Sequence, residues 1–109
     1  MLFRSYTNVS YAVKNVSTGG STVTTVSSGT LGVASLVVSN TSSSPITCDV
    51  YVTRSAVNYY IVKGATVAVG GSNECIQGNR IVLQTSDILV VVSSAATSAD
   101  AWVSAISVV

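Results

Sequence analysis

Ile46-Thr47-Cys48-Asp49-Val50-Tyr51-Val52-Thr53-Arg54 alternates residue by residue. Cys48, Val50 and Val52 share one parity, while Asp49, Tyr51 and Thr53 share the other. Successive side chains of an extended chain point to opposite faces. The stretch is therefore a strand with one face on a core and the other toward water or a neighbour. Downstream, residues 57–63 form another strand, in which adjacent Tyr59 and Tyr60 must face opposite ways, one into the core and one out. Gly64 turns it, residues 66–69 make a short strand, and Gly70-Gly71-Ser72-Asn73 is a loop. A strand over 74–77, a tight turn at Gly78-Asn79 and a strand over 80–84 follow. Thr85-Ser86-Asp87 leads into 88–94, which is apolar on both parities and so buried on both faces. Asp87 stands at its mouth as a gatekeeper against aggregation. After a small polar loop, residues 101–109 set Trp102, Ser104, Ile106 and Val108 against Ala101, Val103 and Ala105, with Trp102 expected in the core.

Upstream, residues 31–40 are apolar on both parities, the mark of a central strand. Residues 40–45 end at Pro45, the one proline of the chain, and read as a long hairpin loop joining this strand to the next. Residues 21–28 make a Thr-rich strand. Before the Gly19-Gly20 break, Phe3, Val9, Tyr11 and Val13 lie on one parity and Arg4, Tyr6, Asn8, Ser10 and Lys14 on the other. No helix of useful length fits. About eight short strands with turn signals every eight to twelve residues predict an all-β fold, an antiparallel β-sandwich of jelly-roll or Ig-like type, as a single domain over residues 1–109.

The 109 residues include no histidine, five Lys or Arg and four Asp or Glu. General acid–base and metal chemistry draw on His or clustered carboxylates, whereas Asp49, Glu74, Asp87 and Asp100 are scattered singly. The serines have neither a Gly-X-Ser-X-Gly elbow nor a histidine base. A Ser–Lys arrangement on Lys14 or Lys63 is the catalytic option left open. The Gly pairs lie between strands and precede no helix, so they are turns rather than phosphate loops. The chain is thus expected not to be an enzyme, with no catalytic, cofactor or metal residue to assign.

A net charge of +1 carries little long-range field and argues for neither nucleic acid nor membrane as a partner. Free monomers cover themselves with about a quarter charged residues, so so few charges suggest a surface buried against copies of itself or other subunits. Arg4 is followed by no apolar segment of the secretion type, and synthesis and folding in a cytosol are expected. Cys48 and Cys75 then read as reduced, buried small hydrophobes. A bridge between two strands is the other reading. Tyrosine combines contact area with a polar tip. While Tyr11 fills core, Arg4, Tyr6, Tyr51, Arg54 and Tyr60 form the candidate contact patch.

Several pieces recur together: Ser35-Leu36-Val37-Val38-Ser39-Asn40-Thr41 with its polar turn, Asp49-Val50-Tyr51-Val52, Tyr60-Ile61-Val62-Lys63, and Ile81-Val82-Leu83-Gln84-Thr85-Ser86-Asp87-Ile88-Leu89-Val90-Val91. With Leu2-Phe3-Arg4-Ser5-Tyr6-Thr7-Asn8 at the start, this resembles the small β-sandwich virion proteins of tailed bacteriophages, especially contractile-tailed phages of cyanobacteria. Such proteins usually carry an acidic or Gly-containing loop before the Ile-Val-Leu strand, where this chain has Glu74-Cys75-Ile76-Gln77-Gly78-Asn79-Arg80. The resemblance implies a non-enzymatic virion part, a capsid decoration or neck or tail accessory subunit, made in the host cytoplasm. Its partners would be other virion proteins and itself, as a trimer first and a dimer or pentamer next. The other functional reading is a carbohydrate- or receptor-binding sandwich that uses Tyr- and Asn-bearing loops.

Overall fold

The computed structural model describes residues 6–76 and 80–108. Nine strands are found among them: β1 (Tyr6–Val13), β2 (Ser21–Thr25), β3 (Thr30–Asn40), β4 (Ile46–Arg54), β5 (Val57–Val67), β6 (Ser72–Glu74), β7 (Ile81–Leu83), β8 (Ile88–Ser93) and β9 (Ala99–Val108). One sheet runs β1-β9-β3, with β6 and β7 one after the other along the far side of β3; the second runs β2-β8-β4-β5. Every pairing is antiparallel.

The pairing is that of one long ribbon folded on itself. β1 pairs with β9, β2 with β8, β3 with β7 and β6, and β4 with β5. Rolling the ribbon then sets β9 against β3 and β8 against β4. This is a jelly roll.

The core lies between the sheets and is largely Val, Leu and Ala. Leu36, Val38, Val50, Val91 and Val103 are fully enclosed, and burying each such side chain stabilises the fold by about 1.5–3 kcal/mol. In β4 the alternation holds as read: Cys48, Val50 and Val52 are buried, and Asp49, Tyr51 and Thr53 are only partly covered. β3 is central, but its apolar residues on both parities have a local cause. Val33 pairs with Ala105 and Ser35 with Ser104, so Ala34 is an extra residue. This bulge inverts the parity, and Leu31 and Val33 before it point to the same core as Leu36 and Val38 after it. In β8, Val90 is buried on the outer face as expected. It sits under the turn at Gly20, whose φ of +102° and lack of a side chain allow that approach; a Cβ there would lie 3.2 Å from Val90 Cγ1.

Several expectations are corrected. Residues 41–45 are not a hairpin loop, because β3 and β4 belong to different sheets. The segment arches between them, anchored by buried Asn40. Its Nδ2 donates to Ser44 O at 2.8 Å and Val67 O at 3.1 Å, and its Oδ1 accepts from Ser42 N and Oγ. Gly64 does not end a strand: β5 runs through it as a bulged edge strand, and Gly64 N donates to Asp49 Oδ1 at 2.7 Å. Tyr59 and Tyr60 do alternate, yet both are exposed, because β5 is the outermost strand and the inner side of Tyr59 overhangs an open flank. Trp102 is 55% exposed rather than core. It pairs with Ala12 and Val37 on the outer face, and Ala101 and Val103 take the core positions of β9. Asp87 is no exposed gatekeeper; it is 2% exposed and ion-paired. β6 starts at Ser72, earlier than the strand expected over 74–77. Phe3, the Gly78-Asn79 turn and Val109 lie outside the described residues.

Candidate interaction surface

The β4–β5 hairpin turns through Ser55 and Ala56, both at positive φ (53° and 64°), with Arg54 paired to Val57. The tight turn places Arg54 at the end of the sandwich, facing the β7–β8 connection. There its Nε donates to Asp87 Oδ1 at 2.9 Å and its terminal nitrogen to Oδ2 at 2.5 Å, while Gln84 N donates to Oδ2 at 2.8 Å. The Arg54 hydrogen bonds, joined by that of Gln84 N, outweigh burial and hold the Asp87 carboxyl below the ordinary aspartate range. Arg54 is correspondingly pushed up by Asp87. The sequence marks Arg54 as a contact residue; its guanidinium head is engaged with Asp87, closing this end of the fold, while the side chain stays 45% exposed.

Tyr51 and Tyr60 are brought together. They face each other across β4 and β5 on the outer face of the second sheet, ring centroids 5.2 Å apart and tilted by 49°. Lys63 Nζ lies 4.4 Å from the Tyr60 centroid and 3.8 Å from Asp49 Oδ2. This cation–π and ionic contact holds the outer ring in place. Tyr6 lies elsewhere, on the outer face of the first sheet opposite Val108. Arg4 lies outside the described residues.

The structure adds residues that alternation alone does not single out. Between the free edges of β5 and β7 the sandwich opens into a cleft of about 360 Å³, lined by Val52, Arg54, Tyr59, Ile61, Ile81 and Val82 among others. Val82 also borders a smaller groove of about 170 Å³ on the first sheet with Tyr6, Arg80, Ile106 and Val108. An apolar band thus runs from Tyr60 through Tyr59 and Val82 to Tyr6. Its large residues, with Val57 at the hairpin, are between 49% (Tyr60) and 68% (Tyr6) exposed. The sequence signal was available in Val57, which opens its strand, and in Val82, in the middle of a short one, but nothing local shows that their strands are sheet edges. Among the described residues, no three of His, Cys, Asp and Glu converge as metal ligands would.

No protein-family model matches the chain, and no curated protein matches it either. Among solved structures it is similar to a chain of the Bacillus endospore appendages, described as a novel family of disulfide-linked pili. The TM-score is 0.53 at 13% identity, covering 95% of this chain and 87% of that one. It is also similar to a chain in the structure of infectious bursal disease virus, Gx strain. Here the TM-score is 0.53 at 13% identity, covering 97% of this chain but 33% of the other. At this identity the likeness is one of fold: the same β-sandwich recurs in a pilus chain and a virus chain.

Proposed function

We propose that this protein is a non-enzymatic structural subunit of a larger particle, docked through the apolar band along the β5/β7 flank. The finer reading is a virion protein of a tailed bacteriophage, a capsid decoration or neck or tail accessory subunit, made in the host cytoplasm. The observation that carries the proposal is the band itself. Tyr6, Tyr59, Tyr60 and Val82 keep between 49% and 68% of their surface exposed on a chain with nine charged residues. An uncovered patch of this kind is a liability in a free monomer and an asset in an assembly. The β5 and β7 edges beside it offer unpaired backbone groups that a neighbour can cover. Symmetric closure by copies of the chain, a trimer first, buries both features at once. The fold likeness to chains of a pilus and a virus supports the reading.

Particles purified from infected cells and labelled with gold-conjugated antibody against the protein test it. Many labels over the shell identify a decoration protein, and a few at one vertex or along the tail identify an accessory subunit. Unlabelled particles, with the protein left in the soluble lysate, overturn the virion reading. A second reading is favoured by the cleft, where Tyr59 and Arg54 flank an apolar floor: a carbohydrate- or receptor-binding module. Glycan binding by the isolated protein that is lost in Tyr59→Ala would support it.

A further inference from the structure

The outer face of the first sheet carries Trp102, the one tryptophan of the chain, and leaves it largely open to solvent. Strand register sets three rows across this face. Ala12, Trp102, Val37 and Glu74 form the first, Ser10, Ser104 and Ser35 the second, and Asn8, Ile106, Gly32 and Val82 the third. The small middle row leaves a groove of about 400 Å³ bordered by Asn8, Ser10, Ala34, Ser104 and Ile106. Among the described residues, charge on this face is confined to its margin. Glu74 closes the Trp102 row, and Lys14 pairs with Asp100 just beyond it. Arg80 lies at the opposite end, across Gly32, its Cδ 3.1 Å from where a Cβ would sit.

We propose that two copies of the chain pack here face to face, related by a two-fold axis that runs along the serine row. Turning the face about that row exchanges the first row with the third. Trp102 of each copy then enters the groove beside Ile106 of the other, and Arg80 of each crosses to the Glu74 side of the other. Ridge meets hollow and cation meets carboxylate, each twice, as an isologous contact requires. A two-fold along the strands would instead bring Arg80 over Asn8, where no carboxylate waits. The serines on the axis are short enough to let two sheets stack at the usual separation of about 10 Å. With β9 ten residues long and four strands abreast, the footprint is roughly 33 by 19 Å. That is about 600 Å² a side, the lower end for a specific interface. The contact is therefore weak between free chains, closing near about 1 mM, a concentration that subunits already held side by side supply to each other. It is separate from the β5 flank and stands whether or not that flank docks.

Trp102 is its own reporter. Its fluorescence is read at about 50 µM and about 1 mM in the natural protein and in Tyr59→Ser, which weakens the flank but not this face. At the higher concentration the emission should move to the blue and quenching by acrylamide should fall at least about threefold in both proteins, because the centre of an interface excludes water. Ser104→Lys, at an exposed position, sets like charges across the axis and should abolish the change. Arg80→Glu turns acid toward acid, should weaken the association about tenfold, and carries the same test if Ser104→Lys does not fold. Emission and quenching that do not differ between the two concentrations overturn the proposal. A change that survives Ser104→Lys, or one that is lost in Tyr59→Ser, also overturns it, since Trp102 is then covered by some other contact.

Discussion

Asp87 gathers three donors into an apolar setting: two from Arg54 and one from Gln84 N. Each oxygen is satisfied, and a buried charge is tolerable only on that condition. Asp87→Asn keeps the shape but turns an amide toward the guanidinium, and should destabilise the fold by about 2–3 kcal/mol in urea unfolding near neutral pH. The same group makes stability depend on pH. Its folded pKa lies below the unfolded aspartate value of about 3.9, so its contribution is fully present above that value and is lost as pH falls through the depressed folded one. Asp100 acts in the same direction through Asn15 N and Lys14. Glu74 does too, because hydrogen bonds from Ser35, Ile76 N and Leu36 N overcome the upward push of burial. Tm should be flat above about pH 5 and drop steeply below about pH 4, with the gap between natural protein and Asp87→Asn narrowing there. A Tm unchanged down to pH 2 would contradict the assignment. Asp87 was visible in the sequence as a charge at the mouth of an apolar strand. That Arg54, 33 residues away, lies across it is a tertiary fact, and alternation does not encode it.

At the scale of elements, the strands with one face on the core and an unbroken ladder on one side were the most legible. β4 was read with the same bounds, and the parity of β1 was right, because one face of each packs on the core and the pattern has period two. Two of the errors fall where an extra residue enters a ladder. The Ala34 bulge makes β3 look apolar on both faces, and the bulges of β5 carry it through Gly64 as one strand. A bulge adds one residue without a sequence mark as plain as a Gly-Pro turn. The β4–β5 boundary was legible but its turn was not. Ser55 and Ala56 both adopt positive φ, the geometry of a two-residue hairpin that favours Asn-Gly. Ala56→Gly removes the steric cost of a Cβ there and should stabilise the protein by about 1 kcal/mol. The combination with Ser55→Asn should do so at least as well, raising Tm by about 4–8 °C per kcal/mol. Differential scanning calorimetry checks this, and a fall in Tm would show that the turn has another geometry.

For the whole molecule, alternation and turn spacing limit the fold to a sandwich, and the choice of jelly roll over Ig-like pairing rests on contacts between β1 and β9 or β2 and β8. These join opposite ends of the chain, and no local pattern specifies them. The candidate contact patch comes together only in part for the same reason. Tyr51 and Tyr60 do meet, but Arg54 is tied to Asp87 and Tyr6 lies on the other sheet. Tyr59 and Tyr60 meet Val82 at the flank where β5 and β7 leave their sheets open. If that flank joins copies of the chain, association is apolar and should resist salt, which screens only charged contacts. It should also depend on Tyr59 and Val82, while a change at exposed Thr22 on the far side of the second sheet should leave it intact. Sedimentation equilibrium at about 50 µM protein, in about 0.15 M and about 1 M NaCl, measures this directly. The predicted result is a multiple of the 11.1 kDa chain mass at both salt concentrations, reduced to the single chain by Tyr59→Ser combined with Val82→Ser. A mass of 11.1 kDa for the natural protein in both buffers would contradict self-assembly through this flank.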